Sequence, residues 1–456
     1  MEITVLKLTR RVIGPARLRR RILALAWPTI TEQLFQMMLG VVDTIMVGRL
    51  GPAALAAVGL GDQIVMLITV AFAAFAVGTT ALVARHTGAR EPEEAALVAQ
   101  QSVMVTFALG TGIGVGTYVL APWSMSVMGA APEVHPGATF YLRAQAVAML
   151  FLALNLVATG AMRGAGDTRT PLYLSIFLNV IHLGGNYLLI FGNLGFPALG
   201  VNGSAVSSAT ARVITGALAF ALLLKPGSSL RLNPREWLRP RWGVIKRVLN
   251  IGLPATGEQL MMRLGMTAYV RIVSTLGTVA FAAHRVALNA ESLSYMPGWG
   301  FAVAATTLVG QGLGAGNSKR AEASGYQAWF LALIIMSMGA AAFFFFSKPL
   351  VMIFSDDPEV IRQGAVVLKL VALAQPGLAT NMVMAGALRG AGDTRWTMIN
   401  TTAGIWLVRL PLAYFMALEW GWGLTGAWVA MIADLTFRGA LMLNRYRVGR
   451  WKTLRV

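Results

Sequence analysis

Twelve stretches of predominantly apolar residues run through this chain, each long enough to span roughly 30 Å of hydrocarbon as a helix of about 20 residues. They lie near 22–47, 53–83, 96–120, 139–162, 172–192, 203–224, 248–275, 280–309, 324–346, 365–388, 397–418 and 425–443. Of the 456 residues, 56% are hydrophobic and 12% charged. That is about half the charged share of a soluble domain, too little polar surface to cover a soluble globule. The 49 glycines do not mark disorder, because glycine is more frequent in membrane helices than in soluble ones. The chain reads as an all-α polytopic membrane protein. Cysteine is absent, which excludes disulfides, thiolate metal sites and thiol nucleophiles.

The net charge of +19 is a topology signal rather than a nucleic-acid footprint. Twenty-seven of the 38 Lys and Arg fall in segments 1–21, 84–95, 163–171, 225–247, 310–322, 389–396 and 444–456. The alternate connections hold three, Arg49, Lys348 and Arg362. Basic loops stay cytoplasmic, so both termini are expected there, with the excess charge anchored against anionic lipid headgroups. The basic start and apolar run resemble a signal peptide. However, Glu32 and Asp43 interrupt the run and no small-x-small cleavage site follows, so it is read as a retained first helix. Seven Lys against 31 Arg hints at a GC-rich bacterial genome, hence a bacterial inner membrane.

An internal repeat organises the chain. Pro28-x-x-x-Glu32-Gln33-Leu34 recurs as Pro254-x-x-x-Glu258-Gln259-Leu260. Arg163-Gly-Ala-Gly-Asp167-Thr-Arg169 recurs unchanged as Arg389-Gly-Ala-Gly-Asp393-Thr-Arg395. Asn155 returns as Asn381 and Gly88-Ala89 as Gly314-Ala315, every pair offset by 226 residues. After the fifth helix the register slips by three, so that Gly203 matches Gly426. Six helices are an even number, so the copies are expected to be parallel, two six-helix lobes (6 + 6) holding substrate at the midplane and rocking against each other. The expected organisation is a basic N-terminus over 1–21, a first lobe over 22–224, a cytoplasmic link over 225–247 with Pro226, Pro234 and Pro240, a second lobe over 248–443 and a basic tail over 444–456.

The two RGAGDT loops, Val42-Asp43-Thr44-Ile45-Met46-Val47-Gly48 in the first helix, Ala282-Ala283-His284-Arg285-Val286-Ala287-Leu288-Asn289 in the eighth, and the 6 + 6 layout together resemble the multidrug and toxic compound extrusion (MATE) family. The resemblance covers essentially the whole chain. It implies a secondary antiporter, not an enzyme, that exports bulky, often cationic, aromatic compounds in exchange for H⁺ or Na⁺. It implies no cofactor beyond the coupling ion, small organic cations or drugs and membrane lipids as partners, and a monomer.

Ionisable groups at bilayer depth are expensive and are functional candidates by default. The first helix holds Glu32, Gln36 and Asp43. Spacings of four and eleven residues bring them within about 40° of one stripe, with Asp43 roughly 16 Å along the axis from Glu32. Asp43 is expected to bind the coupling cation or proton, with Gln36 as a polar lining residue and Glu32 as a cytoplasmic-side relay or substrate carboxylate. The structural alternative is a polar cap at a helix end. The fifth helix reads Asn179-x-x-His182-x-x-x-Asn186, one face of a helix. Family members with a first-lobe cation pocket carry Asn at the place of His182 and Asp at that of Asn186. Here one carboxylate is lost and an imidazole gained, which weakens a Na⁺ site, since hard cations prefer anionic and carbonyl oxygens, and suits proton exchange.

In the second copy Glu258 matches Glu32, and Tyr269 stands at the Asp43-equivalent position. Arg263, Arg271, His284, Arg285 and Glu291 are further polar groups of helices 7 and 8, and an ion pair of Arg263 or Arg271 with Glu258 or Glu291 is expected. The Na⁺-using branch carries acids at places that align with Met262 and Leu378. Glu32, Asn155, Glu258, Met262, Tyr269, His284, Glu291 and Asn381 are the candidate substrate-cavity residues. Arg163, Asp167, Arg389 and Asp393 mark structural or gating loops in which Asp and Arg can form a charge latch.

No metal site is expected, and no G-x-x-x-x-G-K-[ST] segment occurs to bind ATP. A flippase of the same superfamily is the alternative that keeps the fold, but it needs a strongly basic cavity that Glu32, Asp43 and Glu258 oppose. An intramembrane enzyme is the alternative of another class. Four His, no Cys, no H-E-x-x-H and no G-x-S-x-G argue against it.

Overall fold

The computed structural model describes residues 16–225, 230, 232 and 239–454. Residues 1–15, residues 226–229, 231 and 233–238 of the 225–247 link, with Pro226 and Pro234, and the last two residues of the basic tail lie outside the described residues. Among the described residues there is no strand, and twelve long helices account for nearly all of the chain. They are α1 (Ala16–Gly48), α2 (Pro52–Ala89), α3 (Pro92–Val127), α4 (His135–Ala165), α5 (Arg169–Leu189) and α6 (Val201–Leu224) in the first copy. The second copy has α7 (Trp242–Ser274), α8 (Thr278–Gly314), α9 (Ser318–Phe345), α10 (Pro358–Ala391), α11 (Thr394–Glu419) and α12 (Gly423–Val448). The fold is the all-helical, twelve-helix one expected. Ten of these helices are long and apolar enough to cross a membrane; α7 and α8, which carry Glu258, Arg263, Arg271, Arg285 and Glu291, fall short of that measure.

The helix ends follow local chemistry. Proline occupies the first turn of α2, α3, α4 and α10, where its missing N–H has no partner to lose. Asp357 caps α10, accepting from the backbone N–H groups of Glu359 and Val360 at 2.8 and 3.0 Å. The RGAGDT segments are helix stops. Gly166 (φ +96°) and Gly392 (φ +88°) take the left-handed region just past α4 and α10. The following amides reach back to the last turn, Asp167 N–H to the Met162 carbonyl at 2.9 Å and Asp393 N–H to that of Leu388 at 2.8 Å. This is the Schellman arrangement, and its left-handed position is why glycine stands there.

The chain forms two compact units, one of residues 31–252 and one of residues up to 30 with 253–456. The division falls inside α1 and α7 rather than in the 225–247 link, because the first turns of each helix pack with the other copy's helices. Ile22, Leu25 and Ala26 join Phe301, Ala304 and Leu308 in one apolar core, while the Val248 carbonyl sits on Gly78 of α2. We call the units the first and second lobe.

Within each lobe the repeat is visible bond by bond. Thr80 donates to the Gly160 carbonyl at 2.8 Å in the first lobe, and Thr306 to that of Gly386 at 2.7 Å in the second. These glycines let α2 meet α4, and α8 meet α10, at backbone distance, which is how membrane helices associate when burial from water supplies no drive between them. α11 has no such regular counterpart. It opens into wide turns over Gly404–Arg409 and Phe415–Glu419, and a side chain at Gly404 would collide with Arg438 and Asp434.

A Cβ at Gly390 would strike the Thr306 carbonyl, whereas one at Gly112 meets nothing. Gly390→Ala should therefore destabilise the second lobe by about 1–3 kcal/mol, and Gly112→Ala should not. Thermal unfolding of the two purified variants checks this; equal midpoints would sink it.

Candidate functional site

The two glutamates of the P-x-x-x-E-Q-L segments are held by ion pairs. Glu32 is 5% exposed, and Arg163 Nη2 donates to both its carboxylate oxygens at 2.7 Å. Glu258, also 5% exposed, accepts from Arg389 Nη2 at 2.7 Å and from the Thr397 and Thr401 hydroxyls at 3.0 and 2.9 Å. The arginine of each RGAGDT loop thus reaches back to the first helix of its own copy. This corrects two expectations. Glu258 pairs with Arg389, not with Arg263 or Arg271, which form no ion pair among the described residues. Nor does Asp latch to Arg within either loop. Asp167 caps α5, accepting from the amides of Arg169 and Thr170 and the Thr170 hydroxyl, and Asp393 pairs with Arg445 at 2.8 Å. Gln36 sides with Glu32, its amide 3.5 Å from Oε1, rather than with Asp43.

Asp43, His182 and Asn186 come together in the first lobe. Asn186 Nδ2 donates to Asp43 Oδ1 at 2.6 Å, and His182 Nε2 lies 3.3 Å from the same oxygen, within ion-pair range though not aligned as a hydrogen bond. The Asp43 and His182 side chains are 16% and 11% exposed, so the cluster is shielded without being sealed. Ser207 of α6 donates to the His182 carbonyl at 2.7 Å, and Gly185 leaves room for that serine. Asn179, one face further along α5, is buried with neither its amide oxygen nor its nitrogen partnered, and the amide oxygens of Asn155 and Asn186 are likewise unbonded.

A second polar group lies in the same lobe and escaped the sequence reading. Tyr141 of α4 donates to Asp62 of α2 at 2.8 Å, and Arg212 of α6 donates to Gln145 of α4 at 2.6 Å. Asp62 is within electrostatic reach of Arg212, Asp43 and His182. The available signal was simple: Asp62 is the sole charged residue between 53 and 83.

The second lobe encloses a cavity of about 330 Å³ lined by Glu258, Met262, Glu291, Asn381, Tyr295 and Trp299, among others. Leu378 lines it too, so the two places where an alkali-ion site would need acids present a thioether and an isobutyl group to the same space. Glu291 has no side-chain partner among the described residues. Tyr269 and His284 are elsewhere, fully enclosed, with rings 5.8 Å apart and His284 edge-on to Trp428 at 5.4 Å. Arg409 and Arg438 line the cavity as well, and Asp434 binds them at 2.7 and 2.8 Å. No cluster of three His, Asp or Glu able to hold a metal occurs among the described residues.

The MatE family pattern matches this chain twice, over residues 28–188 and again over 254–415, once for each copy of the repeat. The chain belongs to the MATE family. A probable multidrug resistance protein NorM of Thermotoga maritima is 34% identical over 440 residues, 95% of this chain and 93% of its own length. The uncharacterized transporter YisQ of Bacillus subtilis is 28% identical, with 96% of each chain covered. Among solved structures, a MATE transporter in complex with MaD3S superposes with a TM-score of 0.88 at 24% identity, over 96% of this chain and 97% of that one. An outward-facing multidrug resistance MATE transporter gives 0.88 and 24% over 96% of each. These structures share the MATE fold. The protein is a multi-pass membrane transporter and not an enzyme.

The Glu32–Arg163 pair makes a prediction about MATE stability. Removing one partner of a buried ion pair strands the other charge, at a cost of about 3–5 kcal/mol. Arg163→Ala should sharply reduce folded protein, and adding Glu32→Gln to it should restore part of the loss. Size-exclusion profiles and unfolding midpoints measure both; a double variant no better than the single one would refute the pairing argument.

Proposed function

We propose that this transporter exports bulky, apolar organic cations in exchange for protons, by alternating access, with Asp43 as the proton-carrying group. The supporting observation is the Asp43 cluster: one carboxylate, shielded, with an amide and an imidazole on it and no Lys or Arg to hold it ionised. Such a group can be neutral when protonated and strongly attract a cation when not. The imidazole 3.3 Å away stands where a fixed cation site would need an oxygen donor, which favours proton exchange. The relatives named as multidrug resistance proteins support the cargo class. The second-lobe cavity sets methionine, Trp299 and Tyr295 beside Glu291, and the three arginines in its wall, Arg389, Arg409 and Arg438, are paired to Glu258 and Asp434. Polarizable, flexible linings of this sort accept many shapes. The basic segments support cytoplasmic termini in a bacterial inner membrane, and we read the working unit as a monomer.

Na⁺ coupling is the second reading. The unbonded amide oxygen of Asn186, whose nitrogen is bonded to Asp43, is the observation that favours it, with that of Asn179 two turns earlier on the same face of α5. Proteoliposomes separate the two readings, with rhodamine 6G efflux driven either by a pH gradient or by a Na⁺ gradient at fixed pH. We expect only the pH gradient to work. Asp43→Asn should reduce efflux to that of empty liposomes, and wild-type efflux from it would remove Asp43 from the mechanism. His182→Ala should change the pH profile of efflux, because the imidazole 3.3 Å from Asp43 is gone. An unchanged profile would make His182 a packing residue.

A further inference from the structure

Sorting the acids of the structure by partner isolates one that the coupling scheme has not used. Every fully buried acid, Glu32, Glu258, Glu322, Asp393 and Asp434, is paired with Arg or Lys at 2.7–2.9 Å. Asp62 is not. It stands almost three turns into a membrane helix, half-buried, and its one hydrogen bond among the described residues is from the Tyr141 hydroxyl. Arg212, the cation facing it, is engaged by Gln145 instead. An acid at this depth without an ion pair is expensive when ionised and gains from taking up a proton.

We propose that Asp62 is a second proton-carrying carboxylate of the first-lobe site, working with Asp43; this rests on the proton-exchange reading and adds a second proton to it. The groups facing Asp62 come from every helix around it: Tyr141 of α4, Arg212 of α6, Asp43 of α1 and His182 of α5. Helix α3, also packed on α2, carries no acid, base or His between residues 95 and 127. Two carboxylates within each other's reach do not titrate independently. Ionising one disfavours ionising the other, and the pair loses its protons in two steps. The proton on Asp62 leaves a carboxylate that keeps the Tyr141 hydrogen bond on one oxygen and faces the Arg212 guanidinium.

The repeat argues that this set is not there for the fold. Offset by 226 residues, Asp62 corresponds to Leu288, Tyr141 to Val367, Gln145 to Val371 and Asp43 to Tyr269. The second lobe builds the same helix arrangement with apolar residues at three of these four places. In the first lobe the geometry around Asp62 is specific. A side chain on Gly61 would collide with the Tyr141 ring, so the glycine lets that ring lie against α2 and puts the hydroxyl on the neighbouring aspartate.

Proton release on binding tests this in the purified full-length protein, in weak buffer with rhodamine 6G as the probe. In Asp62→Asn the protons released per bound dye should fall to about half of wild type, and the slope of log Kd against pH should flatten in proportion. Tyr141→Phe keeps the carboxylate, so it should keep the count while shifting the midpoint, and it serves if Asp62→Asn does not fold. Release from Asp62→Asn equal to a wild type that does release protons, or an unchanged midpoint in Tyr141→Phe, overturns the role of Asp62 alone. A wild type that releases no protons overturns the proton-exchange reading and this inference with it.

Discussion

Charge at bilayer depth has to be matched, and this molecule matches it with the same pair twice. Glu32 with Arg163 and Glu258 with Arg389 each join residues 131 positions apart. Each ties the inner half of a lobe's first helix to the end of its fourth. The pair explains why the RGAGDT segments are identical while so much around them has drifted. Their second glycine supplies the left-handed stop, their aspartate caps the next helix or binds Arg445, and their arginine neutralises a buried glutamate. An arginine fits that last task because it stays ionised and presents a planar fork to the carboxylate. Losing any one of these functions either frays a helix end or strands a charge.

The same rule shapes the irregular part of the second lobe. Asp434 takes two guanidiniums, Arg409 and Arg438, in place of the uncharged Ala211 and Thr215 that the three-residue slip aligns with Asp434 and Arg438. Bringing Arg409 round to Asp434 coincides with the wide turns of α11, of the kind that often mark functional or strained positions in helices. Gly404 provides the clearance for the Arg438 chain. The second lobe thus gathers Asp434, Arg409 and Arg438 into an internal ion cluster, while in the first lobe Asp43 and Asp62 carry no Arg or Lys ion pair among the described residues.

How far the sequence carried the fold depends on how local each signal was. Twelve helices and their order were legible because apolar runs and basic loops are read in windows of about 20 residues, and the repeat because its offset never changes before the fifth helix. Asp43, His182 and Asn186 were legible as one cluster only in part: the helical spacing put 182 and 186 on one face, and the resemblance to the MATE family supplied Asp43 as their partner. Long-range pairing was not legible. Nothing in residues 163 or 389 says which of several acids they meet, and Arg263 and Arg271 were closer in sequence to Glu258 than its true partner. The repeat held the missing clue, since Glu and Arg persist in both copies at one separation whereas Asp43 does not. Asp62 escaped for the opposite reason: a lone acid in a long apolar helix with no periodic partner gives no pattern, only an exception.

That exception sharpens the division between groups that hold the structure and groups that can change charge. An acid locked to arginine cannot take up a coupling proton without breaking its ion pair. An acid facing only hydroxyl, amide or imidazole can. Asp43 meets that condition with an amide and an imidazole; Asp62 holds one hydroxyl with Arg212 facing it, and Glu291 shares its cavity with Met262 and Leu378 but also with Arg389, Arg409 and Arg438. The asymmetry between the copies is what the proposed division of tasks rests on: proton exchange at the first-lobe carboxylates, and cargo recognition at the second-lobe cavity.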